Sequence, residues 1–151
     1  MKIRWWIIGL IVFIAALFVW QKFSDPNRAL VKKWKAAGVE CLASHERAAL
    51  HFHPQLKIEL DGQSQTIPPN IGIVTGCMAE IHTHDSSGTI HVETTLTQKK
   101  MHLKHFFAVW DKPFSKSGYN LEMLVDNAAS TAGGDLILKD GQQIILRYSQ
   151  E

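Results

Sequence analysis

The first 23 residues constrain the fold most, because they cannot be built into a small globular core. From Ile3 to Phe23 the only charges are Arg4 and Lys22, and Trp5 to Trp20 carries none. At ~1.5 Å per residue, an apolar helix of this length spans about 30 Å, one bilayer core. Trp5, Trp6 and Trp20 fall near its ends, where interfacial aromatics sit. A cleaved export signal would need small residues before its cut site, and Leu17-Phe-Val-Trp-Gln-Lys-Phe23 offers none. The expectation is a single-pass transmembrane anchor over residues 1–23 that meets the membrane through residues 3–23.

The charge is divided accordingly. Of the 16 Lys and Arg, seven lie in residues 1–35 beside one acid, Asp25, and the rest of the chain is net acidic. A basic segment next to an apolar span suits a membrane surface, and the acidic remainder argues against a nucleic-acid partner. Asp25 is placed to cap a helix beginning at Pro26. Leu30, Val31, Trp34 and Ala37 recur at helical spacing, and Gly38 ends the segment. Residues 24–38 are therefore read as a juxtamembrane basic amphipathic helix. Lys2 and Arg4 favour an inside N-terminus, whereas Lys22, Arg28, Lys32, Lys33 and Lys35 favour the reverse. The two cysteines, Cys41 and Cys77, fit either a disulfide in an oxidising compartment or two buried thiols. On balance the domain is expected outside the cytoplasm, tethered to the cell membrane.

Residues 39–151 read as mostly β, in the α+β class. Leu56, Ile58 and Leu60 alternate with polar residues up to an Asp61-Gly62 turn, with a returning strand from Gln63 to Ile67. A hairpin is expected over 78–95, and further strands at Leu121–Val125, Leu136–Leu138 and Ile144–Tyr148. Leu103, Phe106, Phe107 and Trp110 follow the spacing of one packed helix. A β-grasp-like sheet is the expected topology.

The chemistry lies in the histidines. All eight fall between His45 and His105, and three stretches hold five of them: His51-Phe-His53, His82-Thr-His84-Asp85 and His91-Val-Glu93. Each stretch separates two metal-capable side chains by two residues, which in a strand puts both on one face. If the strands are neighbours, the three pairs build a single site. Neutral imidazole suits zinc and copper(II), and either ion takes about four donors. His53, His82, His84 and His91 are the preferred ligands. His51, Glu93 and Asp85 come next, as ligands or as groups that orient ligand rings. His45, His102 and His105 are read as solvated.

Catalytic motifs are thin: there is no His-Glu-x-x-His helix, no Gly-x-Ser-x-Gly elbow and no Gly-rich phosphate loop. The leading function is extracytoplasmic binding of copper or zinc as a carrier, sensor or storage module. A metal-dependent hydrolase or oxygenase, with Glu93 or Asp85 as general base, is a second reading. A non-metal interaction module of a membrane complex is a third.

The order Cys41, His51-Phe-His53, Ile67-Pro-Pro-Asn-Ile-Gly-Ile73, Cys77, Ile81-His-Thr-His-Asp85, Gly88-Thr-Ile-His-Val-Glu93 and Phe106-Phe-Ala-Val-Trp110 resembles a family of bacterial and archaeal extracytoplasmic domains without an established function. The resemblance runs from Cys41 to Tyr148 and implies an exported domain with Cys41 and Cys77 paired. It departs at His102-Leu-Lys104, where that family tends to read Thr-Leu-Gly, and it implies no activity.

Overall fold

The structure, a computed structural model, describes residues 5–23, 26–42 and 48–151. His45 and the proposed cap Asp25 lie outside them. The chain divides into two compact units, Met1–Leu30 and Val31–Glu151. The first contains helix α1 (Trp5–Phe23), whose described side chains, residues 6–18 and 20, are uncharged and exposed. Among the described residues no helix is long and apolar enough to cross a membrane. A helix therefore stands where the anchor is expected, without by itself showing a crossing.

Helix α2 (Pro26–Ala36) begins at the expected proline. Beyond its end Gly38 adopts φ 83°, a left-handed conformation open to glycine at no steric cost. There the Val39 N–H reaches back to the Trp34 carbonyl at 2.9 Å, closing the helix. Of the expected apolar stripe only Trp34 is fully buried, and its Nε1 donates to the Val109 carbonyl at 3.1 Å.

The larger unit is mostly β, with small sheets and one helix of its own, in the α+β class. Its main sheet contains β3 (Gln55–Leu60), β4 (Gln63–Gln65), β9 (Tyr119–Val125), β10 (Ala128–Ala129) and β11 (Gln143–Gln150), in the order β10-β9-β11-β3-β4. β3 and β11 run parallel, from Gln55↔Gln143 to Leu60↔Tyr148, and the other neighbours are antiparallel. Leu56 and Ile58 on β3 and Ile144, Leu146 and Tyr148 on β11 turn the same pleat faces into the core. That is what their period of two demands.

Two three-stranded sheets complete the unit. β1 (Cys41–Leu42), β5 (Ile73–Val74) and β6 (Cys77–Ala79) form one, in the order β1-β6-β5. The other contains β2 (Leu50–Phe52), β7 (Ile81–His82) and β8 (His91–Thr94), in the order β2-β8-β7. Cys41 and Cys77 form a disulfide with Cα atoms 5.2 Å apart, which resolves the two readings of the cysteines.

Helix α3 (Leu103–Trp110) buries Leu103, Phe106, Phe107 and Val109, while Trp110 stays partly exposed. His102 and His105 are not simply solvated. The His102 N–H donates to His105 Nδ1 at 3.0 Å, satisfying an otherwise free amide at the helix start, and His102 Nδ1 meets the Asp135 carbonyl at 2.8 Å. Burial, followed by the neighbouring His102, lowers the pKa of His105 from its ordinary value.

The expected strand at Leu136–Leu138 is absent. That segment makes a single bridge, Ile137↔His102, flanked by bonds from Leu103 N to Leu136 O and from Leu138 N to Met101 O. Its alternation reflects burial of Leu138 beside the start of α3, not a strand ladder.

Candidate metal centre

The histidine sheet has a register that brings the three pairs together. His51 stands opposite Glu93 and His82 opposite His91, and β8 joins the two pairs because His91 and Glu93 share a face. Directly opposed residues have Cβ atoms ~4.5–5.5 Å apart, so their side chains must meet. Phe52, Ile81 and Val92 occupy the opposite face, with Ile81 and Val92 fully buried.

His53 and His84 lie just beyond their strands. The His53 N–H donates to Asp140 Oδ1 at 2.9 Å, and its carbonyl accepts from the Gly141 N–H at 3.2 Å. His84 opens the Asp85-Ser-Ser-Gly88 turn, which docks on the large sheet. There Leu56 N donates to Gly88 O at 2.9 Å, and Ile90 N donates to Pro54 O at 2.9 Å. Gly88 has φ +84°, and a Cβ there would fall 2.3 Å from the Leu56 carbonyl oxygen, so only glycine fits.

His82 is the most firmly placed of the set. It is fully buried. Its strand follows β6 after one residue, so the disulfide at Cys77 lies a few residues upstream. Ile71 and Gly72 brace it from below: Thr83 N donates to Ile71 O at 3.0 Å, and Ala79 N to Gly72 O at 2.8 Å. A Cβ on Gly72 would lie 2.7 Å from the Ile81 carbonyl oxygen and 3.0 Å from the His82 Cβ.

The ring nitrogens then sort themselves. His82 Nδ1 lies 2.9 Å from the Ala79 carbonyl, so the proton sits on Nδ1 and Nε2 presents its lone pair. Nε2 of His84 lies 3.2 Å from it. Two nitrogens bound to one zinc or copper ion are separated by ~2.9 Å at a right angle and ~3.3 Å at a tetrahedral angle. The observed separation falls inside that interval. The same distance accommodates a hydrogen bond from a protonated His84 Nε2 in the metal-free chain.

Protonation does not compete at neutral pH. Burial pushes the pKa of His82 down to about 4. Burial, and then the neighbouring His84, His53 and His51, do the same for His91, also to about 4. Both rings are neutral at pH 7, the form that binds metal.

Two triads hold their ligand atoms within 4.8 Å of one another: His82, His84 and His91, and His51, His53 and His91. Glu93 is buried between them. Its Oε1 lies 3.3 Å from His51 Nε2 and 4.0 Å from His82 Nε2. A divalent ion held by either triad would lie beside this carboxylate. Asp85 belongs to neither triad. It is exposed, its Oδ1 accepts the Ser87 N–H at 2.9 Å, and bonds from Ser87 hold its carboxyl below the usual range.

Sequence reasoning missed the supports: the Ala79 carbonyl, Asp140 and Gly72. Gly72, inside Pro68-Pro-Asn-Ile-Gly-Ile73, and Asp140, in an Asp-Gly pair, left only turn signals, with nothing to tie either to a histidine. An open cleft of about 580 Å³ runs along Gln55–Lys57, Ser64–Ile67 and Ser86–Gly88, and no histidine lines it. No protein-family model, curated protein or solved structure matches the chain, so the site is read from its own geometry.

Proposed function

We propose that this chain is a membrane-anchored, extracytoplasmic domain that binds copper or zinc through His82, His84 and His91, as a carrier, sensor or storage module. The observation that carries the reading is the His82–His84 pair. One nitrogen is aimed by a buried backbone hydrogen bond, and a second stands at the separation that one ion imposes. His91 completes three donors, and Glu93 supplies nearby negative charge.

The disulfide fits an oxidising compartment. In this reading the anchor would be α1, 19 residues or ~28 Å of helix. The main sheet, with a central parallel pair β3 and β11 flanked by hairpin partners, supports a β-grasp-like assignment.

The full chain, purified in mild detergent without an affinity tag of histidines and reconstituted with Zn(II) or Cu(II), is expected to retain one tightly held ion by elemental mass spectrometry. His82→Ala is expected to weaken retention about a hundredfold or more. A wild-type chain that holds neither ion after desalting would overturn the proposal.

A further inference from the structure

Five clustered histidines exceed what one ion uses, since zinc or copper takes about four donors. They fall into two triads that share His91. The two differ in depth. One is rooted on the fully buried His82, with the paired nitrogens already 3.2 Å apart. The other has no buried member: His51 is exposed, and His53 and His91 are partly exposed.

The rings form an unbroken array. Centroid separations run 4.5 Å from His51 to His53, 4.6 Å from His53 to His91, 4.5 Å from His91 to His84 and 4.8 Å from His84 to His82. Glu93 Oε1 lies alongside, within 4.0 Å of both His51 and His82. An ion moving between the triads therefore has a donor within reach at each step, and Glu93 lies near both ends of the path.

We propose that His51, His53 and His91 form the entry position for the ion, which is then handed to His82 and His84 while His91 stays bound. This rests on the reading that the inner triad binds metal. The ion keeps its charge. The bonds to His51 and His53 break as those to His82 and His84 form. His84 Nε2 gives up its contact with His82 Nε2 as both nitrogens turn to the ion, and a ring proton carried on that nitrogen moves to Nδ1.

The test is stopped-flow exchange of Zn(II) between a chromophoric chelator and the full chain in detergent, on wild type and on His51→Ala/His53→Ala. His51→Gln/His53→Gln is the companion variant, since it keeps a polar group beside Glu93. Wild type is expected to take up one ion. Both double variants are expected to take up and release it about tenfold more slowly, the two rates falling together. A merely structural role for His51 and His53 would not slow release. Unchanged rates in both double variants, or two tightly held ions per wild-type chain, would overturn the handover and leave the inner site standing. Wild type that holds no ion would instead overturn the reading of the site itself.

Discussion

At the scale of single residues, the centre depends on how His82 is held. Its Nδ1 is committed to the Ala79 carbonyl, so the ring has one tautomer and turns Nε2 towards His84. This neutral, buried state has a consequence for stability. In the unfolded chain His82 titrates near the ordinary 6.5, and in the folded chain near 4. Between those values the unfolded state binds a proton that the folded state excludes, so stability falls as pH drops from 6.5 towards 4 and is flat below. The metal-free protein is expected to lose about 2 kcal/mol between pH 7 and pH 5 from His82. His91 adds less because it is partly exposed. Urea unfolding followed by tryptophan fluorescence at the two pH values measures this, and His82→Gln is expected to flatten most of the dependence. Metal binding should follow the folded values instead. Proton competition with Zn(II) at His82 and His91 is expected only as pH approaches about 4, where their rings take up protons. A chelator titration across this range measures it, and Zn(II) affinity that stays flat from pH 5 to about pH 3 would sink the expectation.

At the scale of elements, the site is a register problem. His51, His82, His91 and Glu93 could be assigned to one face from sequence because side chains alternate with a period of two, and β2, β8 and β7 display that alternation directly. Strand order was not legible, because no local signal says that β8 lies between β2 and β7. Nor was the placement of His53 and His84, which depends on Asp140 and Gly88, turns distant in sequence or packed on another sheet. Leu136–Leu138 misled for the same reason: an alternating pattern reports burial on one side, not the presence of a partner strand. His102 and His105 misled in the opposite sense, since polar residues beside an apolar stripe suggest solvent, whereas the start of α3 uses both in hydrogen bonds. The glycines test the docking of the histidine turn. Gly88→Ala must accept a positive φ and a Cβ within 2.3 Å of the Leu56 oxygen. It is expected to destabilise the protein by roughly 2–3 kcal/mol and to weaken metal affinity by moving His84 and His91. Gly62→Ala is the control: that residue also has positive φ, but a Cβ meets nothing within 4 Å, so it is expected to cost about 1 kcal/mol and leave metal affinity unchanged. Equal losses of affinity in the two variants would show that the close approach at Gly88 does not position the site.

At the scale of the whole molecule, the disulfide links the start of the large unit to the strand that leads into the histidine cluster. It closes a loop of 36 residues between Cys41 and Cys77. Chain-entropy arguments give such a link about 4 kcal/mol, a large share of what a domain of this size usually has. β6 carries Cys77 and Ala79, and after Glu80 the chain enters β7 at Ile81 and reaches His82. Glu80 is itself buried and fixed from several sides: it accepts from the Thr94 hydroxyl at 2.7 Å, from the Glu40 N–H at 2.9 Å and from Lys99. Reduction is therefore expected to reach the histidine cluster through the same short run of backbone that supplies the Ala79 carbonyl. Cys41→Ser/Cys77→Ser is expected to destabilise the protein by about 4 kcal/mol in urea unfolding and to raise the denaturant slope, because the unlinked unfolded chain exposes more surface. In conditions where the variant remains folded, its affinity for Zn(II) is expected to fall about tenfold, because the strand that aims His82 is held less rigidly. Bound Zn(II) should in turn recover part of the lost stability in proportion to its free concentration, since an ion that binds only the folded chain stabilises it by mass action. Recovery by Zn(II) that persists when His82→Ala is added to the double variant would place the stabilising ion elsewhere in the molecule.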